Sequence, residues 1–112
     1  MSMAKTSPDG WHLIDADAVN RRHPETFEIP SENERRSLRH GDLAKLCFKC
    51  DPAVYGIGAE RMWVEVTSIK GRNYIGNLVN DPIAVEVLEW GDQIAFSSKH
   101  VLDIEREGLP LQ

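Results

Sequence analysis

The chain is 112 residues long, 41% hydrophobic and 28% charged, a balance that excludes disorder and membrane solvation and fits one domain with its own core. Met1–Asn20 holds no apolar stretch of signal-peptide length and no run of 18 apolar residues occurs, so a soluble cytoplasmic protein with two free thiols is expected. The net charge of −5 is unevenly placed: residues 1–50 carry eight Lys/Arg against eight Asp/Glu, and residues 51–112 carry five against ten. Phosphate backbones need clustered cations, so this acidic half argues against nucleic acid and suits solubility or a basic partner.

Residues 1–10 are polar and turn-forming, a loose tail ahead of a single domain over 11–112 with a helical lead-in (11–40) and a β core (41–104). Trp11, Leu13 and Ile14 offer an apolar anchor. Asp15 caps a predicted helix through Ala16–Arg22, which must stop before Pro24. Phe27 and Ile29 form a brief extended segment closed by Pro30. Ser31-Glu32-Asn33-Glu34 fits a capping box, which predicts a helix of about two turns through Arg39 that Gly41 ends.

Alternation then takes over. Ala44, Leu46, Phe48 and Cys50 share one face of a strand, with Lys45 and Lys49 on the other. Residues 51–60 read as an apolar loop with Gly56 and Gly58, either a lid on the barrel end or a mobile binding loop. Met62, Val64 and Val66 alternate with Trp63, Glu65 and Thr67; a hairpin turn over 70–73 leads to Tyr74, Gly76 and Leu78. Ile83, Val85 and Val87 suggest a further strand, Gln93–Ser97 another, and His100–Ile104 a short strand or turn. Leu38-Arg39-His40-Gly41-Asp42 and Leu88-Glu89-Trp90-Gly91-Asp92 share Leu-x-x-Gly-Asp, which reads as repeated turn chemistry before a strand and not as a duplicated domain. The fold class expected is mainly β with short amino-terminal helices (α+β), as a small curled antiparallel sheet or an SH3-like open barrel.

Glu60-Arg61-Met62-Trp63-Val64-Glu65-Val66, Tyr74-x-Gly76-x-Leu78-x-Asn80-x-Pro82, Leu88-x-x-Gly91-Asp92-x-Ile94-x-Phe96 and His100-Val101-x-Asp103-Ile104 together resemble the YegJ-like bacterial family of unknown function. Phe27-x-Ile29-Pro30 and Gly41-Asp42-Leu43-x-Lys45-Leu46 resemble the lead-in of its longer members. The resemblance implies no activity and carries over no catalytic residue.

Chemical motifs are sparse. Cys47 and Cys50 match C-x-x-C, but on a strand they face opposite sides, which suits neither a redox pair nor a zinc half-site. His12, His23, His40 and His100 make no metal-binding spacing; His12 with Asp15 and Asp17 comes nearest. Glu60, Glu65 and Asp81 are ordinary carboxylates. No catalytic residue, metal or cofactor is therefore expected. The leading reading is a non-enzymatic protein-binding module, of immunity or regulatory type, using Trp63, Arg61, Tyr55 and Trp90, since aromatic and Arg side chains dominate binding hot spots. A small β-barrel nucleic-acid binder and an enzyme built from Glu65, Asp81 and His100 are the alternatives. Oligomeric state is open.

Overall fold

The computed structural model describes residues 10–106. Its elements are β1 (Trp11–Leu13), α1 (Ala16–Arg22), α2 (Glu32–Arg35), β2 (Leu43–Val54), β3 (Ile57–Lys70), β4 (Asn73–Leu78), β5 (Gln93–Ser97), a 3-10 turn (Ser98–His100) and β6 (Asp103–Glu105). The expected 1–10 tail lies outside the described residues except for Gly10.

Alternating apolar residues bury one face of each strand, and the strands join in sequence order. The antiparallel sheet runs β1-β2-β3-β4-β5, with β6 also paired to β2. Strands β1 and β6 share one edge of β2, at Phe48–Cys50 and Leu43–Lys45 respectively, while β3 takes the other edge. Register shifts between Lys49 and Val54 and between Val66 and Ser68 help the sheet curl into a half-barrel. The inner face holds Leu46, Phe48, Met62, Val64, Tyr74, Leu78, Ile94 and Phe96, closed by Trp11, Leu38, Leu88 and Val101. Each large side chain buried there contributes about 1.5–3 kcal/mol. A smaller cluster of Ala16, Cys47 and Leu102 sits on the opposite face of β2, under Ile14, Phe27 and Ile29. The mainly β, curled antiparallel architecture is thus the expected one, with the two cysteines on opposite faces.

Helix α1 starts where expected: Asp15 Oδ1 accepts the Ala18 N–H at 2.9 Å. The capping box of α2 also forms, Ser31 Oγ accepting from Glu34 N–H and Glu34 Oε1 from Ser31 N–H. Those bonds hold the Glu34 carboxyl below its ordinary value. The helix nevertheless lasts a single turn, not two. Its continuation would give the Arg39 N–H to the Arg35 carbonyl. Instead Tyr74 Oη donates to that carbonyl at 3.0 Å, and Arg39 N–H donates to Asp42 Oδ2 at 2.8 Å. Arg35 itself is buried; its guanidinium donates to Pro30 O and Ser98 O and lies 3.6 Å from Asp17. One cation thereby ties α1, α2 and the 3-10 turn together.

Three further expectations change. The lead-in is not purely helical, because Trp11–Leu13 pairs with β2 as a strand. The 51–60 segment is no loop or lid: β2 and β3 run on to a two-residue turn, Tyr55-Gly56, both at positive φ. Val54 and Ile57 pack on the core there while Tyr55 stays 76% exposed. The 83–87 run is not a strand either. Alternation without a partner edge is insufficient, and Glu60 captures its backbone donors: Oε2 accepts from Ile83 N–H at 2.7 Å, and Oε1 from Ala84 and Val85 N–H at 3.0 and 3.3 Å.

The two Leu-x-x-Gly-Asp segments make matching turns. In the first, Asp42 N–H donates to Arg39 O, Gly41 N–H to Val66 O, and Val66 N–H to Asp42 O. In the second, Asp92 N–H donates to Glu89 O, Gly91 N–H to Leu78 O, and Leu78 N–H to Asp92 O. Each Asp carboxylate also accepts the N–H three residues back. Gly41 and Gly91 sit at φ 90° and 93°, where a Cβ is strained.

Candidate functional site

The residues singled out in the sequence fall into two groups. Arg61 and Trp63 lie two apart on β3, on the face away from the core. Trp63 stands opposite Lys45 of β2, whose ammonium lies 5.0 Å from the ring centroid. That contact contributes about 0.5–1 kcal/mol and leaves the ring half-buried. The Trp63 backbone is held as well, its N–H donating to Asn80 Oδ1 and its carbonyl accepting from Val79 N–H. Arg61 is exposed opposite Cys47. Both Arg61 and Lys45 line a polar cleft of about 610 Å3 walled by Phe27, Ile29 and Arg106, in which Glu28, Glu34 and Asp103 balance the cations.

Tyr55 and Trp90 belong elsewhere, on the β2–β3 tip and on the irregular connection over 79–92 that joins β4 to β5. Trp90 occupies the turn before β5 and is 59% exposed. Tyr55 Oη donates to Glu86 Oε2 at 2.7 Å, which ties the hairpin tip to the connection and raises the pKa of the phenol above its ordinary value. Ile83 and Val87 are exposed on the same connection. Sequence reading placed those two on a strand and so missed them as surface residues. The turn chemistry around Pro82 and Gly91 brackets the segment, but nothing in the local pattern shows that it lacks a partner edge. The connection is anchored from below, by Glu60 at Ile83–Val85 and by the Gly91-Asp92 turn at Leu78, so its apolar side chains are presented on a fixed backbone.

Several other polar groups are held within the fold. Burial raises the pKa of both the Cys47 and the Cys50 thiol, so they stay protonated at neutral pH. Asp15 caps α1, and Asp17 pairs with Arg21 and Arg35 rather than joining His12 around a metal. His100 Nδ1 accepts the Ser97 N–H at 3.0 Å; burial, with Lys99 beside it, lowers the ring to about 4. Among the described residues no three His, Cys, Asp or Glu side chains form a group able to hold a metal, and no helix is long and apolar enough to cross a membrane.

A family model described as "Uncharacterized protein conserved in bacteria (DUF2314)" matches residues 18–105. No curated protein and no solved structure matches the chain. The matched span takes in α1 from Ala18 onward, α2 and β2 to β6, and with them both Gly-Asp turns and the 79–92 connection.

Proposed function

We propose, from the premise that the chain belongs to the DUF2314 family of uncharacterized proteins conserved in bacteria, that it is a soluble, cytoplasmic, non-enzymatic module that binds another protein. Its docking face is the β2–β3 tip together with the 79–92 connection, and Tyr55 and Trp90 are its anchors. The YegJ-like assignment, on the strings quoted above, is part of the same proposal. One observation carries the reading. Of the five large hydrophobic side chains exposed among the described residues, Tyr55, Ile83, Val87 and Trp90 lie on these two neighbouring segments. Single exposed apolar residues are ordinary, whereas a group of them on an anchored backbone marks an interaction surface. Trp63 lies outside this face, half-buried on β3 with the Lys45 ammonium 5.0 Å from its ring centroid. Arg61 edges the polar cleft instead.

The test is affinity capture from an extract of the protein's own cells, with the whole chain as bait at micromolar concentration. Wild type is compared with Trp90→Ala, Tyr55→Ala and, as a control, Ile69→Ala at the fifth exposed hydrophobic. A protein retained by wild type and Ile69→Ala but lost from the other two supports the reading. Retention of nothing, or of the same proteins by every variant, overturns it.

A further inference from the structure

The docking face has one sign of charge. Residues 73–98 contain no Lys or Arg and carry Asp81, Glu86, Glu89 and Asp92. Three of these acids, at 86, 89 and 92, interleave with Val87 and Trp90. Glu86 is joined to Tyr55 by a hydrogen bond that raises the phenol's pKa and keeps its proton in place. Beneath the connection, both carboxylate oxygens of Glu60 are occupied by backbone N–H groups, which fixes a further carboxylate against the Ile83–Val85 backbone. The surface therefore combines exposed apolar area with carboxylates held in position.

That combination selects among occupants. Nucleic acid and anionic lipid headgroups bring like charge and are repelled. A second copy docked through the same face would bring one acidic surface against another, with no Lys or Arg from residues 73–98 to offset the charge. A surface that offers cations around an apolar anchor is attracted by the carboxylates and desolvates Trp90, Val87 and Ile83. Resting on the docking-face reading above, we infer that the partner is a protein segment that presents Lys or Arg side chains around one or more apolar residues, as a basic amphipathic helix does.

The probe is a synthetic amphipathic peptide of Leu and Lys, with a Leu and Glu peptide of the same pattern for comparison. Each is labelled and titrated with the whole 112-residue chain, and binding is followed by anisotropy. The Leu/Lys peptide binds, and Trp90→Ala weakens it by about tenfold or more. Raising NaCl from about 50 to about 500 mM weakens the wild type about tenfold, an effect largely absent from the double variant Glu86→Gln/Glu89→Gln. Ile69→Ala, at the far hairpin, binds as wild type does. Folding of each variant is checked by circular dichroism. The inference is overturned if the Leu/Lys peptide binds no better than the Leu/Glu peptide, if Trp90→Ala leaves its affinity unchanged, or if the double variant keeps the full salt dependence. Binding of the Leu/Glu peptide that Trp90→Ala abolishes would keep the docking face and remove its cationic partner. Binding of neither peptide removes the cationic partner, and the capture experiment then decides the face separately.

Discussion

Two turns of the same chemistry meet different surroundings in this protein. Leu38-Arg39-His40-Gly41-Asp42 leads into β2 and Leu88-Glu89-Trp90-Gly91-Asp92 leads into β5. Both use a Gly at positive φ and an Asp that accepts the N–H three residues back, and both bury the leading Leu, at 3% and 4% exposure. They also grip one hairpin: the first holds Val66 of β3, the second Leu78 of β4. What surrounds them differs. Asp42 is only 2% exposed, and the Arg106 guanidinium reaches its carboxylate at 3.3 Å. Asp92 is half-buried, and Trp90 beside it is 59% exposed. Five residues thus suffice to set the backbone, while the elements packed around them decide whether the turn becomes interior or surface.

The largest expected effect strikes the frame that both turns share. Gly76 pairs with Val66, and a Cβ there would lie 2.8 Å from the Glu65 carbonyl oxygen, a backbone atom with little room to move. Gly76→Ala should lower stability by about 3 kcal/mol in urea unfolding. A loss under about 0.5 kcal/mol would mean that the hairpin yields, and that the two turns do not share a rigid frame.

The next test separates the turns. Asp42→Ala removes a buried acceptor from the Arg39 N–H and the Arg106 guanidinium, at a cost of about 2–3 kcal/mol; Asp92→Ala loses a cap nearer to solvent, at about 1 kcal/mol. Equal costs would mean that the two turns do not differ in their surroundings.

A subtler contrast comes from pH. The 3-10 turn packs against α1 and α2 on the covered side. Its His100 titrates at about 4 in the fold, against an ordinary value of 6.5. Between those values the unfolded ring binds a proton that the folded ring refuses. Its contribution to stability is therefore complete above about 6.5, falls as pH drops toward 4, and changes no further below that. His100→Gln should flatten this part of the stability profile, measured by urea midpoints from pH 7 to 4. An unchanged slope would show that the ring takes no part in it.

Much of the architecture was legible in the chain. Period-two alternation marked β2, β3, β4 and β5, because one face of each strand is buried. Asp15 and Ser31 marked both helix starts, because their side chains satisfy donors within three residues. The errors share a cause. The end of α2 depends on Tyr74, 39 positions away from Arg35. The fate of 83–87 depends on Glu60, more than 20 positions upstream. Of the four candidate site residues, exposure of Trp90 followed from its turn, but the contact on Trp63 required Lys45 from the neighbouring strand.

The sequence by itself determined the alternating cores of β2 to β5, the caps, the two Gly-Asp turns, the opposite facing of Cys47 and Cys50, and the acidic excess after residue 50, since each is a matter of spacing or counting within a short window. Only the tertiary structure decided where α2 stops, that 51–60 is a hairpin, that β1 and β6 share an edge of β2, and that Tyr55 joins the 79–92 connection. Those outcomes depend on which distant donor or acceptor reaches a backbone group first, and no local pattern encodes that competition.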